Sequence, residues 1–221
     1  YVGVGTAPAA ASIAKFTDDG HPVIPSLDIR AQLVPAGPDV IAALLQECGN
    51  KSFAELAAPA IELARSGFPM HAIMHRNLDL SWYERLGMRF LMPSTAEVWF
   101  PYGWWQPARL NQKMVFPDLA NSLQNLADAE TRALEKGLSR EEAIEAMRDY
   151  FYRGPIAEQI AEFHRENGGL LTASDLLNYH GKWEQPVIGH IGDYTFFGNG
   201  TWSQGIMEPL VLQMLQPLPL K

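Results

Sequence analysis

The groups of this chain able to carry chemistry are six histidines, one cysteine, and several clusters of carboxylates, hydroxyls and aromatic rings. His71 and His75 stand four residues apart, a spacing that places two imidazoles on one helix face as metal ligands. No Asp or Glu completes that set at a suggestive spacing, so no metal site is expected. His21, His164, His180 and His190 are isolated in sequence and read as solvated or hydrogen-bonded side chains. Glu141, Glu142 and Glu145 look like a paired carboxylate site until a helix is drawn through them, when they become a solvated face. Ser203 lies in Trp202-Ser203-Gln204-Gly205, which lacks the leading glycine and the spacing of a Gly-x-Ser-x-Gly elbow, and it reads better as a helix cap. Trp99, Phe100, Tyr102, Trp104 and Trp105 either line an apolar pocket or belong to a loop folded on its own side chains. Cys48 ends an apolar, helix-like run from Val40 and reads as a packing residue. As the single cysteine it excludes an internal disulfide and leaves the redox compartment open.

The elements that must position these groups are punctuated in the sequence. The first thirty residues read as short, β-like and rich in turns, with Tyr1 to Gly5 as a strand opened in its middle and Asp18-Asp19-Gly20 as a turn. Gly37-Pro38-Asp39 opens a helix that Gly49-Asn50 closes, and Ser52-Phe53-Ala54-Glu55 has the form of a capping box for the next. Pro59 predicts a break and restart inside that second helix, because it removes a backbone donor, and Gly67 ends it. The stretch from Pro93 to Pro107, PSTAEVWFPYGWWQP, reads as irregular. Beyond it Leu119, Leu123 and Leu126 share one helical face, and Ser139-Arg140-Glu141-Glu142 caps a helix that buries Ile144, Met147 and Phe151. Gly154-Pro155 starts another with Ile156, Ile160 and Phe163 as its buried stripe, and Asn167-Gly168-Gly169 stops it. Thr172 caps a short helix whose positive end Asp175 favours. Val187 to Ile191 and Tyr194 to Phe197 then form a hairpin about Gly192-Asp193.

Composition narrows the field. At 221 residues, 47% hydrophobic and 19% charged, the chain buries a proper core and reads as a single domain portion, 1–221, with no linker or repeat. A net charge of -8, with the 17 Lys and Arg residues scattered, offers no basic stripe for phosphate backbones, so no nucleic-acid partner is expected. No apolar run is long enough to span a bilayer, and the opening Tyr1-Val2-Gly3-Val4-Gly5 has no signal-peptide pattern. An opening on Tyr leads us to expect that upstream sequence is missing.

Several motifs, in order, resemble the γ-glutamyltransferase family of N-terminal nucleophile hydrolases. They are Gly5-Thr6-Ala7-Pro8 with Ala10-Ala11; Val34-Pro35; Phe53-Ala54-Glu55-Leu56 followed by Pro59-Ala60-Ile61-Glu62-Leu63-Ala64 and Gly67-Phe68-Pro69; and Pro117-Asp118-Leu119-Ala120. They continue with Phe151-Tyr152-Arg153-Gly154; Gly168-Gly169-Leu170-Leu171-Thr172 with Asp175-Leu176; Pro186-Val187; and Trp202-Ser203-Gln204-Gly205 leading into Leu212-Gln213-Met214-Leu215. Each is weak alone; their shared order along almost the whole chain carries the resemblance.

The resemblance implies an α/β fold, part of a layered αββα sandwich, of which this portion is mostly helical with a few short strands. It implies a precursor that cuts itself into a large and a small subunit, with this chain in the large one. It implies acyl transfer from a small-molecule amide by a threonine freed at the start of the small subunit, whose own α-amine acts as base. Thr6, Thr17, Thr95, Thr131, Thr172, Thr195 and Thr201 are all internal, so no catalytic residue is expected in this chain. Thr6, Trp202 and Gln204, inside matching motifs, are its candidate substrate-binding residues. The partner is the small subunit carrying the nucleophile, and no cofactor is called for. Glutamyl-specific members carry Arg-Glu before Thr-Ala-Pro, the guanidinium pairing with the substrate's α-carboxylate. Val4 and Gly5 stand there and can make no such pair, which points to a divergent, glutamyltransferase-like branch acting on a γ-glutamyl or related amide. The run Gly198-Asn199-Gly200-Thr201-Trp202-Ser203-Gln204-Gly205 departs in the same direction, replacing a Pro-Pro-Ser-Ser-Gly-Gly run. Many members are exported, so a periplasmic or secreted setting follows by resemblance only. The alternative is a non-catalytic scaffold or binding protein that keeps only the fold.

Overall fold

The computed structural model describes residues 1–25, 28–103, 106 and 108–216. The helices are α1 (Ile13–Asp18), α2 (Gly37–Cys48), α3 (Phe53–Ser66), α4 (Ala72–Asn77), α5 (Trp82–Leu91) and α6 (Pro93–Trp99), then α7 (Pro117–Glu135), α8 (Arg140–Tyr152), α9 (Pro155–Glu166), α10 (Ala173–Leu177) and α11 (Met207–Leu215). The strands form two antiparallel pairs: β1 (Phe68–Pro69) with β2 (Lys113–Met114), and β3 (Val187–Ile191) with β4 (Tyr194–Gly198). The architecture is therefore mostly helical with a few short strands, as expected. No helix among the described residues is long and apolar enough to cross a membrane.

Helices α2, α3, α7 and α8 form the main block. Phe53, Ala57, Ile61 and Ala64 recur at three- and four-residue spacing along α3, so one stripe of that helix is buried. It packs with Ala42 and Leu45 of α2, Leu126 and Ala127 of α7, and Ile144 and Met147 of α8. Burying each large side chain of this set contributes roughly 1.5–3 kcal/mol. A second core joins Val34, Tyr152, Ala157, Leu171, Leu176 and Tyr179, and a third gathers Met70, Ala108 and Met114.

The caps read from sequence are present. Ser139 with Glu142 and Thr172 with Asp175 form reciprocal capping boxes on α8 and α10. At α3 only half of the expected box forms: Ser52 Oγ accepts from Glu55 N–H at 3.0 Å, while the Glu55 carboxylate takes the Lys51 ammonium. The rest of that helix end is held by Glu130, a buried carboxylate of α7 that accepts from Phe53 and Ala54 N–H, both at 2.9 Å. A carboxylate suits the positive end of a helix dipole.

Several expectations are corrected. Pro59 does not break α3, which runs unbroken to Gly67 at φ 89°. Pro59 and Glu55, whose carbonyl loses its helical partner to the proline ring, are both exposed, so that carbonyl is not left buried without a donor. The first thirty residues hold a helix, α1, capped by Ser12, and the Tyr1 to Gly5 segment joins no strand, its β-pairing among the described residues being an isolated bridge of Val2 with Lys182. Pro93 to Trp99 is helical, since proline suits a first helical turn; Trp104, Trp105 and Pro107 lie outside the described residues. Leu119 and Phe163 are exposed, and Ala120, Ala157 and His164 occupy the buried faces in their place. Phe151 is half-buried. Cys48 is exposed at the end of α2, three residues past Leu45, the last buried residue of that helix.

Candidate functional site

The segment from Tyr1 to Ala9 carries the Thr-Ala-Pro motif, and it is held by ties from distant elements. Val2 exchanges two backbone hydrogen bonds with Lys182, at 2.7 and 3.2 Å. The Val4 carbonyl accepts from the Tyr179 hydroxyl at 3.2 Å, and the Thr6 carbonyl accepts from Val34 N–H at 3.0 Å. Ala9 N–H donates to the Asp175 carboxylate at 2.8 Å. The carbonyls used are those of alternate residues, the pattern of an extended chain. Gly5 is needed for this approach, because a Cβ there would lie 2.0 Å from the Val34 carbonyl oxygen. Val4 and Thr6, flanking that contact, are exposed.

Beneath the segment lies a buried ion pair. Arg148 Nε of α8 donates to Asp39 Oδ1 of α2 at 2.6 Å, with both side chains only 3% exposed. Asp39 also accepts from the Tyr1 hydroxyl at 2.5 Å and from Gly181 N–H at 2.9 Å. Arg148 Nη2 donates to the Tyr179 carbonyl, and its guanidinium lies over the Tyr152 ring, 4.8 Å from the centroid. Tyr152 in turn stacks on Tyr179 and donates its hydroxyl to the Pro35 carbonyl at 2.6 Å. Arg148 Nη1 has no hydrogen-bond partner and faces Glu145 at 3.5 Å. Burial alone would raise the Asp39 carboxyl, but hydrogen bonds from Tyr1, Arg148 and Gly181 outweigh it and hold the group below the usual carboxylate range. Burial and the Asp39 charge push the Tyr1, Tyr152 and Tyr179 phenols up, so they stay neutral donors.

The second candidate stretch is the turn after β4. Trp202 Nε1 donates to the Glu184 carboxylate, and Ser203 Oγ accepts from Gly205 N–H at 3.0 Å, capping a 3-10 turn, Gln204–Ile206, that leads into α11. The turn closes on itself, since a Cβ on Gly205 would meet the Asn199 backbone nitrogen at 2.6 Å. Trp202 and Gln204 face solvent. No hydrogen bond or ring contact among the described residues joins Thr6 directly to Trp202 or Gln204. Both stretches instead tie to one connector: Tyr1 packs edge-on against Trp183 at 5.0 Å, and Trp202 reaches the adjacent Glu184.

The other sequence candidates resolve individually. His71 caps α4, its Nδ1 accepting from Met74 N–H at 3.2 Å, and among the described residues no three His, Cys, Asp or Glu side chains gather as metal ligands. Trp99 and Phe116 pack together, Phe100 is buried, and Tyr102 donates to the Lys113 carbonyl, so the described part of the aromatic cluster packs against residues 113–116. Glu142 serves its capping box, and Glu145 pairs with Arg148. His190 and Thr195 are cross-strand neighbours 3.3 Å apart on the exposed face of the hairpin. His164 is buried, with Nε2 on Gln32 Oε1 at 3.0 Å and Nδ1 accepting from Leu171 N–H at 3.3 Å. The Asp39–Arg148 pair escaped the sequence reading, and its partners lie 109 residues apart.

The fold and these ties define a helical α/β scaffold holding an extended N-terminal segment. The gamma-glutamyltranspeptidase family model matches residues 1–221, and the chain belongs to that family. It is 26% identical over 213 residues to the glutathione hydrolase-like YwrD proenzyme of Bacillus subtilis (strain 168), spanning 96% of this chain and 36% of that protein. It is 26% identical over 219 residues to the glutathione hydrolase proenzyme of Escherichia coli (strain K12), spanning 97% of this chain and 34% of that protein. It superposes on the crystal structure of Helicobacter pylori γ-glutamyltranspeptidase with a TM-score of 0.81 at 25% identity, covering 99% of this chain and 58% of that one. The chain thus spans about a third of the length of these curated relatives.

Proposed function

We infer that this chain is the large-subunit portion, one domain portion over 1–221, of a γ-glutamyltransferase-like acyltransferase or amidohydrolase whose catalytic threonine lies outside it. The family match along every residue carries the reading. Both curated relatives are named proenzymes, which supports a precursor that cleaves itself to free the nucleophile. The freed threonine hydroxyl attacks an amide carbonyl while its own amine takes the proton, and water or an amine then removes the acyl group. Thr6, Trp202 and Gln204 bind the amide substrate from this chain. Val4, standing where an arginine would clamp a glutamyl carboxylate, favours an amide whose acyl part is held otherwise. The small subunit is the partner, and the exposed apolar side chains Ile188 and Phe197 of the hairpin supply surface for it.

The test is intact-mass analysis and terminal sequencing of the full-length protein, followed by turnover of glutathione and a panel of chromogenic acyl anilides. Two chains are expected, the second beginning with Thr, with turnover lost when that Thr is replaced by Ala. A single unprocessed species with no turnover identifies a scaffold without catalysis. The 221-residue chain by itself is expected to be inactive, and calorimetry is expected to find no carboxylate-dependent binding of free glutamate.

A further inference from the structure

We propose that Asp39, Arg148 and Tyr179 form a positioning device that sets the place of the Val4 to Thr6 segment at the acyl site; this rests on the functional reading above. The Tyr179 side chain touches that segment directly, its hydroxyl donating to the Val4 carbonyl at 3.2 Å. Tyr179 is itself fixed twice, by Arg148 on its carbonyl and by Tyr152 against its ring. Asp39 holds both neighbouring strands of chain, Tyr1 through the hydroxyl and Gly181 through the N–H. One buried ion pair therefore grips Tyr1 at the head of the segment and the connector together, and neither can leave without breaking a charged hydrogen bond to the Asp39 carboxylate. This is more apparatus than six extended residues need to stay attached, since Val2 and Thr6 already have backbone partners. What the extra ties add is a fixed place for the two exposed side chains, Val4 and Thr6, between those bonds, and a binding surface displaced by about 1 Å loses much of its effect.

Tyr179→Phe in the full-length protein is the test, because it deletes one hydroxyl and leaves the ring stack. Hydrogen exchange read by mass spectrometry is expected to show faster exchange in peptides covering Val2 to Ala9. KM for the acyl anilide turned over fastest is expected to rise about three- to ten-fold with kcat within about two-fold. Tyr1→Phe should move both readouts in the same direction, and Thr6→Ala should raise KM without changing exchange. Unchanged exchange in Tyr179→Phe overturns the positioning role. Faster exchange with unchanged KM overturns the link to substrate, and with it the proposal. If Thr6→Ala also leaves KM unchanged, or if the unsubstituted protein has no turnover, the functional reading is what has failed.

Discussion

The helical block closes a fully buried apolar core, and the C-terminal hairpin does not. In the block, Ile144 and Met147 are fully buried against α2, α3 and α7, although Ile41 and Leu44 of α2 and Leu56 and Leu63 of α3 stay exposed on the outer sides. In the hairpin, Gly189 packs on Pro209 of α11, but the paired residues Ile188 and Phe197 remain 53% and 65% exposed. Helix α11 is apolar on several sides, with Leu210, Val211 and Met214 also exposed. A helix of that composition belongs inside a protein. The block has a closed core of its own, whereas the hairpin and α11 keep most of their large apolar side chains at the surface, which the proposed small subunit would cover.

The comparison can be broken at several points. Arg148→Ala should have the largest effect, destabilising the full-length protein by about 3–5 kcal/mol, because the Asp39 charge is left buried and unpaired. A urea midpoint that hardly moves would show that the block does not depend on its ion pair. Ile144→Ala should cost about 2–5 kcal/mol both in this chain alone and in the full-length protein. Phe197→Ala should separate the two: within about 0.5 kcal/mol in this chain, and about 3–5 kcal/mol where a partner covers it. Equal, small effects in both would end the interface reading. Ser139→Ala, which removes one cap of α8, should cost about 1 kcal/mol in the same titration.

The smallest expected effect concerns pH. Burial lowers the His164 pKa below its ordinary 6.5, so the folded protein holds the ring neutral while the unfolded chain charges more readily. Its stability contribution is fully present above about pH 6.5 and is lost as pH falls from there toward the lowered folded value. The midpoint temperature of the native protein should therefore fall across that window, and His164→Gln should flatten the fall. An identical slope in both proteins would assign the acid sensitivity elsewhere.

Much of the fold was legible because its signals are local. The box at Ser139, the cap at Thr172, Gly154-Pro155, and the hairpin about Gly192-Asp193 each fit inside a few residues, and each formed as read. The errors fell where a local rule met a tertiary condition. Pro59 was tolerated because its turn faces water, and Phe163 turned outward while His164, beside it, found Gln32 across 132 residues. Of the candidate site, the motifs around Thr6 and Trp202 could be seen in sequence, but not what holds them.

By itself, then, the amino-acid order determined helix ends, turns, the hairpin and the family motifs, since caps, glycines and periodic apolar residues act through neighbours along the chain. Only the tertiary structure decided that Asp39 meets Arg148, that Glu130 caps α3, and that Tyr179 reaches the carbonyl of Val4. Those contacts span 77 to 175 residues of sequence, and no local pattern marks them. Their partners are chosen by which polar groups burial leaves without water, and burial is a property of the packed chain.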